Sequence, residues 1–104
     1  MDDIVILITT PTLKEARRIS RVLIETKKAA CCNIIKNVES LFYWQDKLRT
    51  ATEVLIIAKS TKRKFKDIVK ITKKYHSCEV PEIIALPIKL EDKAYRDWMR
   101  KILR

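Results

Sequence analysis

Two periods of apolar residues alternate along the chain. Ile4–Thr9 is a β-branched, apolar run that reads as a buried strand, and Pro11 ends it. Thr12 and Glu15 have capping-box spacing, which predicts a helix start. Beyond it Ala16, Ile19, Leu23 and Thr26 share one side, while Lys14, Arg17, Arg18 and Arg21 fall largely elsewhere, as in a helix packed on a sheet. Ala29–Tyr43 reads as a long strand interrupted near Lys36-Asn37, where an Asn in the left-handed region makes a bulge or bend. Gln45-Asp46-Lys47 is a polar turn, and Thr52–Ser60 is a second β-branched run, so the two runs pair as a hairpin. In Lys62–His76, Phe65, Ile68, Val69, Thr72 and Tyr75 form an apolar stripe opposite Lys62, Lys66, Lys70 and Lys73. Ile83–Leu90 predicts a fourth strand. Ala94–Leu103 predicts a short closing helix with Tyr95, Trp98 and Ile102 at helical spacing.

Strand, helix, strand, strand, helix, strand and an extra C-terminal helix make an α+β fold, the ferredoxin-like split βαβ arrangement, in one domain over residues 1–104. The helices cover one sheet face. Val and Ile occupy both sides of the strands, so the other face also needs a cover, and an oligomer is the simplest one.

Composition sharpens this picture in four ways. The chain has no glycine, so positive-φ positions fall to Asn and Asp. Its three cysteines, Cys31, Cys32 and Cys78, are an odd number without CxxC spacing, which argues against a disulfide framework. Met1-Asp2-Asp3 lacks a basic leader and no apolar run is long enough to span a bilayer, so a soluble, cytoplasmic protein is expected. The net charge of +10 invites a polyanion-binding reading. The plainer reading is a lysine-rich solvated surface, because basic charge becomes a binding footprint only when focused on one face.

Four stretches together resemble the divalent-cation tolerance (CutA) family. Lys28-Ala29-Ala30-Cys31-Cys32-Asn33-Ile34 is similar to its Ala-Ala-Cys-x-Asn-Ile pattern, and Ser40–Leu48 to its Ser-x-Tyr-x-Trp-x-Gly-Lys-Ile hairpin. Glu53–Ser60 resembles its third strand, and His76-Ser77-Cys78-Glu79-Val80-Pro81-Glu82-Ile83 its His-Pro-Tyr-Glu-Val-Pro-Glu-Ile signature. The resemblance implies a tight homotrimer built through the long hairpin and edge strands. It also implies a role in the response to metal ions with copper or another divalent cation bound, and no attached enzymatic reaction. A trimer of this kind is similar to the PII nitrogen-signalling proteins, which suggests a sensor or scaffold. Asn37 and Asp46 stand where the family has glycines, and Ser77 and Cys78 where it has Pro and Tyr.

On these grounds the metal ligands are expected to be Cys31, His76, Cys78 and Glu79: imidazole plus thiolate suits copper, zinc and other borderline-soft ions. Adjacent thiols on a strand point to opposite faces, so Cys31 and Cys32 do not chelate one ion without a bulge. Small core residues and a helix-terminal His bonded to its own helix's carbonyls are the structural alternatives. Lys59, Glu53 and Glu82 read either as charges of an intersubunit cleft or as an ion pair joining strands. Tyr43 and Trp44 read as packing aromatics. No nucleophile stands at a recognisable spacing from a base, and there is no Gly-rich phosphate loop or HExxH, so no catalytic residue and no required cofactor is expected. The competing function is a basic nucleic-acid-binding ferredoxin-like module, but the sheet-surface aromatics with Gly-rich context that RNA-recognition motifs use are missing.

Overall fold

The computed structural model describes residues 2–104; Met1, the first residue of the segment read for an export signal, lies outside them. The elements are β1 (Asp3–Thr10), α1 (Leu13–Glu25), β2 (Cys31–Trp44), β3 (Lys47–Thr61), a 3-10 turn (Lys62–Lys64), α2 (Phe65–Tyr75), β4 (Ile83–Pro87) and α3 (Lys93–Ile102). The strands form one sheet in the order β2-β3-β1-β4, and every neighbouring pair is antiparallel. This is the split βαβ arrangement that the element order implied.

Strand alternation sets the core. Ile4, Ile6 and Ile8 of β1 and Val54, Ile56 and Ala58 of β3 face the helices and are buried against Ala16, Ile19 and Leu23 of α1 and Ile68 of α2. Each large aliphatic side chain so removed from water stabilises the fold by about 1.5–3 kcal/mol. The alternate residues Val5, Leu7, Leu55 and Ile57 point to the other face, where they are only half-buried. There α3 covers one end. Met99 and Leu103 bury against Ala30, Arg63 donates to the Leu103 carbonyl at 3.3 Å, and Arg100 stands 3.7 Å from Asp3. The buried side of α3 is therefore Met99 and Leu103, while Tyr95 and Trp98, ring centroids 5.5 Å apart, stay exposed.

Among the described residues, four take positive φ: Lys27, Asn37, Gln45 and Asp46. Asn37 (φ 62°) is the extra residue of a β-bulge, since Ile35 pairs with Leu55 but Val38 with Glu53. Gln45 (φ 54°) and Asp46 (φ 61°) are the two loop residues between the paired Trp44 and Lys47, a type I′ hairpin turn. Asn37 and Asp46 were legible as glycine substitutes; Lys27 and Gln45 carry no such signal.

Three boundaries differ from expectation. β3 starts at Lys47 rather than Thr52, because the strand outruns the sheet. β1 pairs with it only as far as Val54, so Lys47–Glu53 and their β2 partners form a two-stranded arm about 23 Å long with no buried face to impose alternation. β4 stops at Pro87 rather than Leu90: proline has no N–H for the ladder, and the next amide, Ile88, donates to the Asp3 carbonyl at 2.9 Å. The second helix opens as a 3-10 turn without a side-chain cap before becoming α-helical at Phe65.

Candidate functional site

A groove of about 710 Å3 lies between the β2–β3 arm and the loop that joins α2 to β4. Thr9, Glu53 and the Tyr43-Trp44 corner line it on the strand side; His76, Cys78, Glu79 and Glu82 line it on the loop side. Three of the four expected ligands thus share one cavity.

The capping box of α1 builds the loop wall. Thr12 Oγ1 accepts the Glu15 amide at 3.2 Å and donates to Glu15 Oε2 at 2.8 Å, which leaves Oε1 to accept the Ser77 amide at 2.7 Å. The start of α1 therefore clamps the segment just after α2. Burial pushes the Glu15 carboxyl upward, but the hydrogen bonds from Ser77 and Thr12 outweigh it and hold the group below its ordinary range.

His76 leaves α2 in an extended conformation and reaches across to β1 rather than back to its own helix. Its Nδ1 accepts the Cys78 amide at 3.0 Å. An amide can only donate, so the ring hydrogen sits on Nε2, which donates to the Thr9 carbonyl at 2.7 Å. Either nitrogen must release a hydrogen bond before it can reach an ion. The Cys78 thiol is pushed upward by burial and by the negative charges of Glu15 and Glu53, so at neutral pH it is held as the thiol.

Cys31 stands elsewhere. It pairs with Lys59, which pairs with Val5, whereas His76 binds at Thr9, about 13 Å further along β1. Its Sγ lies 3.8 Å from Lys59 Nζ and 3.8 Å from Asn33 Oδ1, with the Tyr95 hydroxyl as a further neighbour. Cys32 points the opposite way, into the helix-covered core, where burial pushes its thiol up to about 11. The three cysteines are free. Among the described residues, no group of three or more His, Cys, Asp and Glu side chains stands close enough to share one ion. Lys59 bonds Asn33 rather than Glu53 or Glu82, so the strand-joining ion pair is absent among the described residues, and the two glutamates belong to the groove.

Sequence reasoning did not foresee Glu15 as a positioning residue, although its capping-box spacing marked it. It also gave no sign of the cluster under α3. Asp3 is 4% exposed, both its carboxylate oxygens lack a hydrogen-bond partner among the described residues, and Glu91 and Arg100 lie beside it. Burial raises the Glu91 carboxyl, and the adjacent Asp3 raises it further.

The profile of the CutA1 divalent ion tolerance protein matches residues 4–102. The divalent-cation tolerance protein CutA of Archaeoglobus fulgidus is 42% identical over 90% of this chain and 91% of its own, and that of Thermus thermophilus 38% identical over 93% and 94%. The crystal structure of CutA1 from Oryza sativa superposes with a TM-score of 0.96 at 34% identity, covering 100% of this chain and 95% of that one. The four-stranded antiparallel sheet and three helices described above are those of the solved CutA structures. Matched from β1 through α3 by sequence and by structure, the chain belongs to the CutA1 divalent ion tolerance family.

Proposed function

We propose that this protein is a non-enzymatic, metal-responsive binding protein that takes up copper or another divalent cation weakly and works as a cytoplasmic homotrimer. One observation supports the cation most strongly: a chain of net charge +10 gathers Glu53, Glu79 and Glu82 around a groove that also holds an imidazole and a thiol. A divalent ion there replaces the Cys78 proton and offsets the carboxylates, so its affinity falls as pH drops and protons compete. The donor set places copper above zinc and cobalt. Cys31 is a separate soft position, which a neighbouring copy of the chain must complement before it holds an ion.

Assembly is supported by what the single chain leaves uncovered. The arm exposes Leu41, Tyr43 and Leu48, and the sheet face opposite α1 and α2 leaves Ile35, Ile84 and Leu86 46–52% exposed. Apolar surface of this extent needs a partner, and a trimer is the state that the family resemblance implies. Three free thiols suit a reducing compartment. No helix among the described residues is long and apolar enough to cross a membrane.

Isothermal titration of the reduced protein with copper, zinc and cobalt tests the reading. The expected result is a copper site weakened at least tenfold in a His76→Ala, Cys78→Ser, Glu79→Gln variant, and a separate loss of stoichiometry in Cys31→Ser. Unchanged copper stoichiometry and affinity in both variants would make these side chains structural.

A further inference from the structure

The entire net charge of the chain lies in one layer. Residues 12–28 and 61–76, the two sheet-covering helices with their flanks, hold thirteen of the 23 Lys and Arg but three of the 13 Asp and Glu. They carry the full excess of ten; the other residues balance, ten basic against ten acidic.

The fold turns this segregation into a surface. α1 and α2 lie antiparallel, since Glu15 at the start of α1 meets Ser77 after α2, and Lys28 beyond the end of α1 pairs with Asp67 in the first turn of α2 at 2.9 Å. Their apolar sides are spent on the sheet, so Arg17, Arg18, Arg21, Lys66, Lys70 and Lys73 are exposed to solvent. Lys28–Asp67 is the one salt bridge within this layer among the described residues; the others belong to α3 and Asp3. The cations are crowded: burial and then the charges of Lys28 and Arg63 disfavour the protonated form of Lys64. A bound polyanion relieves that repulsion.

We propose that the α1–α2 layer binds the phosphate backbone of double-stranded nucleic acid without reading its sequence. Three features select this partner. Among the large exposed hydrophobic side chains, only Ile24 belongs to α1 or α2, so the layer lacks the apolar groups with which an interfacial helix sinks into a bilayer. It lacks a free stacking platform for single strands: the Tyr75 ring is covered by the Arg18 guanidinium at 4.6 Å and approached by Lys74 at 5.5 Å. The helices lie flat on the sheet, a geometry that meets phosphates rather than base edges. Size is adequate too. α1, with 13 residues, is about 20 Å long, and that length of duplex presents about 12 phosphates. This mode uses the helix layer and leaves the groove and the sheet face free.

Fluorescence anisotropy of a labelled 20-base-pair duplex DNA, titrated with the protein between 50 and 200 mM salt, tests the proposal. The wild type should bind with a log–log salt slope of about −4 or steeper, the release expected for four or more neutralised phosphates. A variant with Arg17→Gln, Arg21→Gln, Lys66→Gln and Lys70→Gln should lose at least tenfold in affinity and flatten that slope. A control with the same charge change elsewhere, Lys36→Gln, Lys47→Gln, Lys89→Gln and Lys101→Gln, should stay within threefold of wild type. Circular dichroism checks both folds, and the milder Lys66→Gln, Lys70→Gln pair replaces the first variant if that one unfolds. Equal losses in the two variants, no binding at 50 mM salt, or tighter binding to phosphatidylserine vesicles than to duplex at the same salt would each overturn it.

Discussion

Replacing Glu15 by Ala tests how the groove is held in place. Two interactions disappear at once. The first is the reciprocal capping contact, in which Thr12 Oγ1 donates to Glu15 Oε2 at 2.8 Å; capping interactions contribute about 1 kcal/mol. The second is the charge-assisted bond from the Ser77 amide to Oε1 at 2.7 Å. Such bonds contribute about 1.5–3 kcal/mol when shielded and less here, where the contact is exposed. The Thr12 hydroxyl can still accept the Glu15 amide, so half of the cap survives. The expected loss is therefore about 1.5 kcal/mol, concentrated where α1 meets the loop after α2. Amide hydrogen exchange reads it locally: Ser77 and Cys78 should lose about tenfold in protection, while core amides of β1 and β3 stay unchanged. Glu15→Gln, which keeps an acceptor without the charge, should fall between the two. pH dependence carries the same signature. The Glu15 carboxyl is held below its ordinary range, so its contribution is present above the ordinary carboxylate range and disappears as pH falls through the lowered folded value. Unchanged protection at Ser77 in the alanine variant would refute the clamp.

The remaining predictions concern backbone strain and the α3 cluster. Asn37→Gly and Asp46→Gly should each be neutral or stabilise by up to about 1 kcal/mol, since L-residues in the left-handed region cost about 1–2 kcal/mol and Asn and Asp less. Asn37→Val should destabilise by at least that much, and equal denaturation midpoints for the Val and Gly variants would show ordinary β geometry there. The Glu91 carboxyl is raised by burial and by Asp3, so α3 docking is favoured at low pH and weakens as pH rises through the folded value. Glu91→Gln, which mimics the protonated form, should raise thermal stability at neutral pH and flatten that dependence; a fall in stability at neutral pH would mean that Arg96 and Arg100 hold the ionised carboxylate instead.

What could be read in advance followed from burial. Residues with one face against the core, such as Ile4, Ile6 and Ile8 or Ala16, Ile19 and Leu23, carry a period that gives their structure away. The arm does not, because no side chain of Lys47–Ala51 is fully buried: Arg49 and Ala51 are only half-buried and the rest exposed, so nothing forces an apolar residue at alternate positions. Asn37 and Asp46 were legible because few residues tolerate positive φ, while Gln45 shares a turn that Asp46 alone announces. For the site, the sequence brought His76, Cys78 and Glu79 together because they are neighbours in the chain. It also grouped Cys31 with them, since spacing says nothing of strand register, and register puts Cys31 beside Lys59 and Tyr95. Tertiary partners such as Glu15–Ser77 and Asp3–Glu91 are long-range pairings that leave no local pattern.

Native mass spectrometry of the reduced protein, sprayed with and without added copper, addresses assembly and ligand in one spectrum. The expected spectrum shows a three-chain mass that gains copper in proportion to its chains, and a His76→Ala, Cys78→Ser, Glu79→Gln variant that keeps the three-chain mass but loses most of that copper. A one-chain mass at micromolar concentration, or an unchanged copper count in the variant, would contradict it.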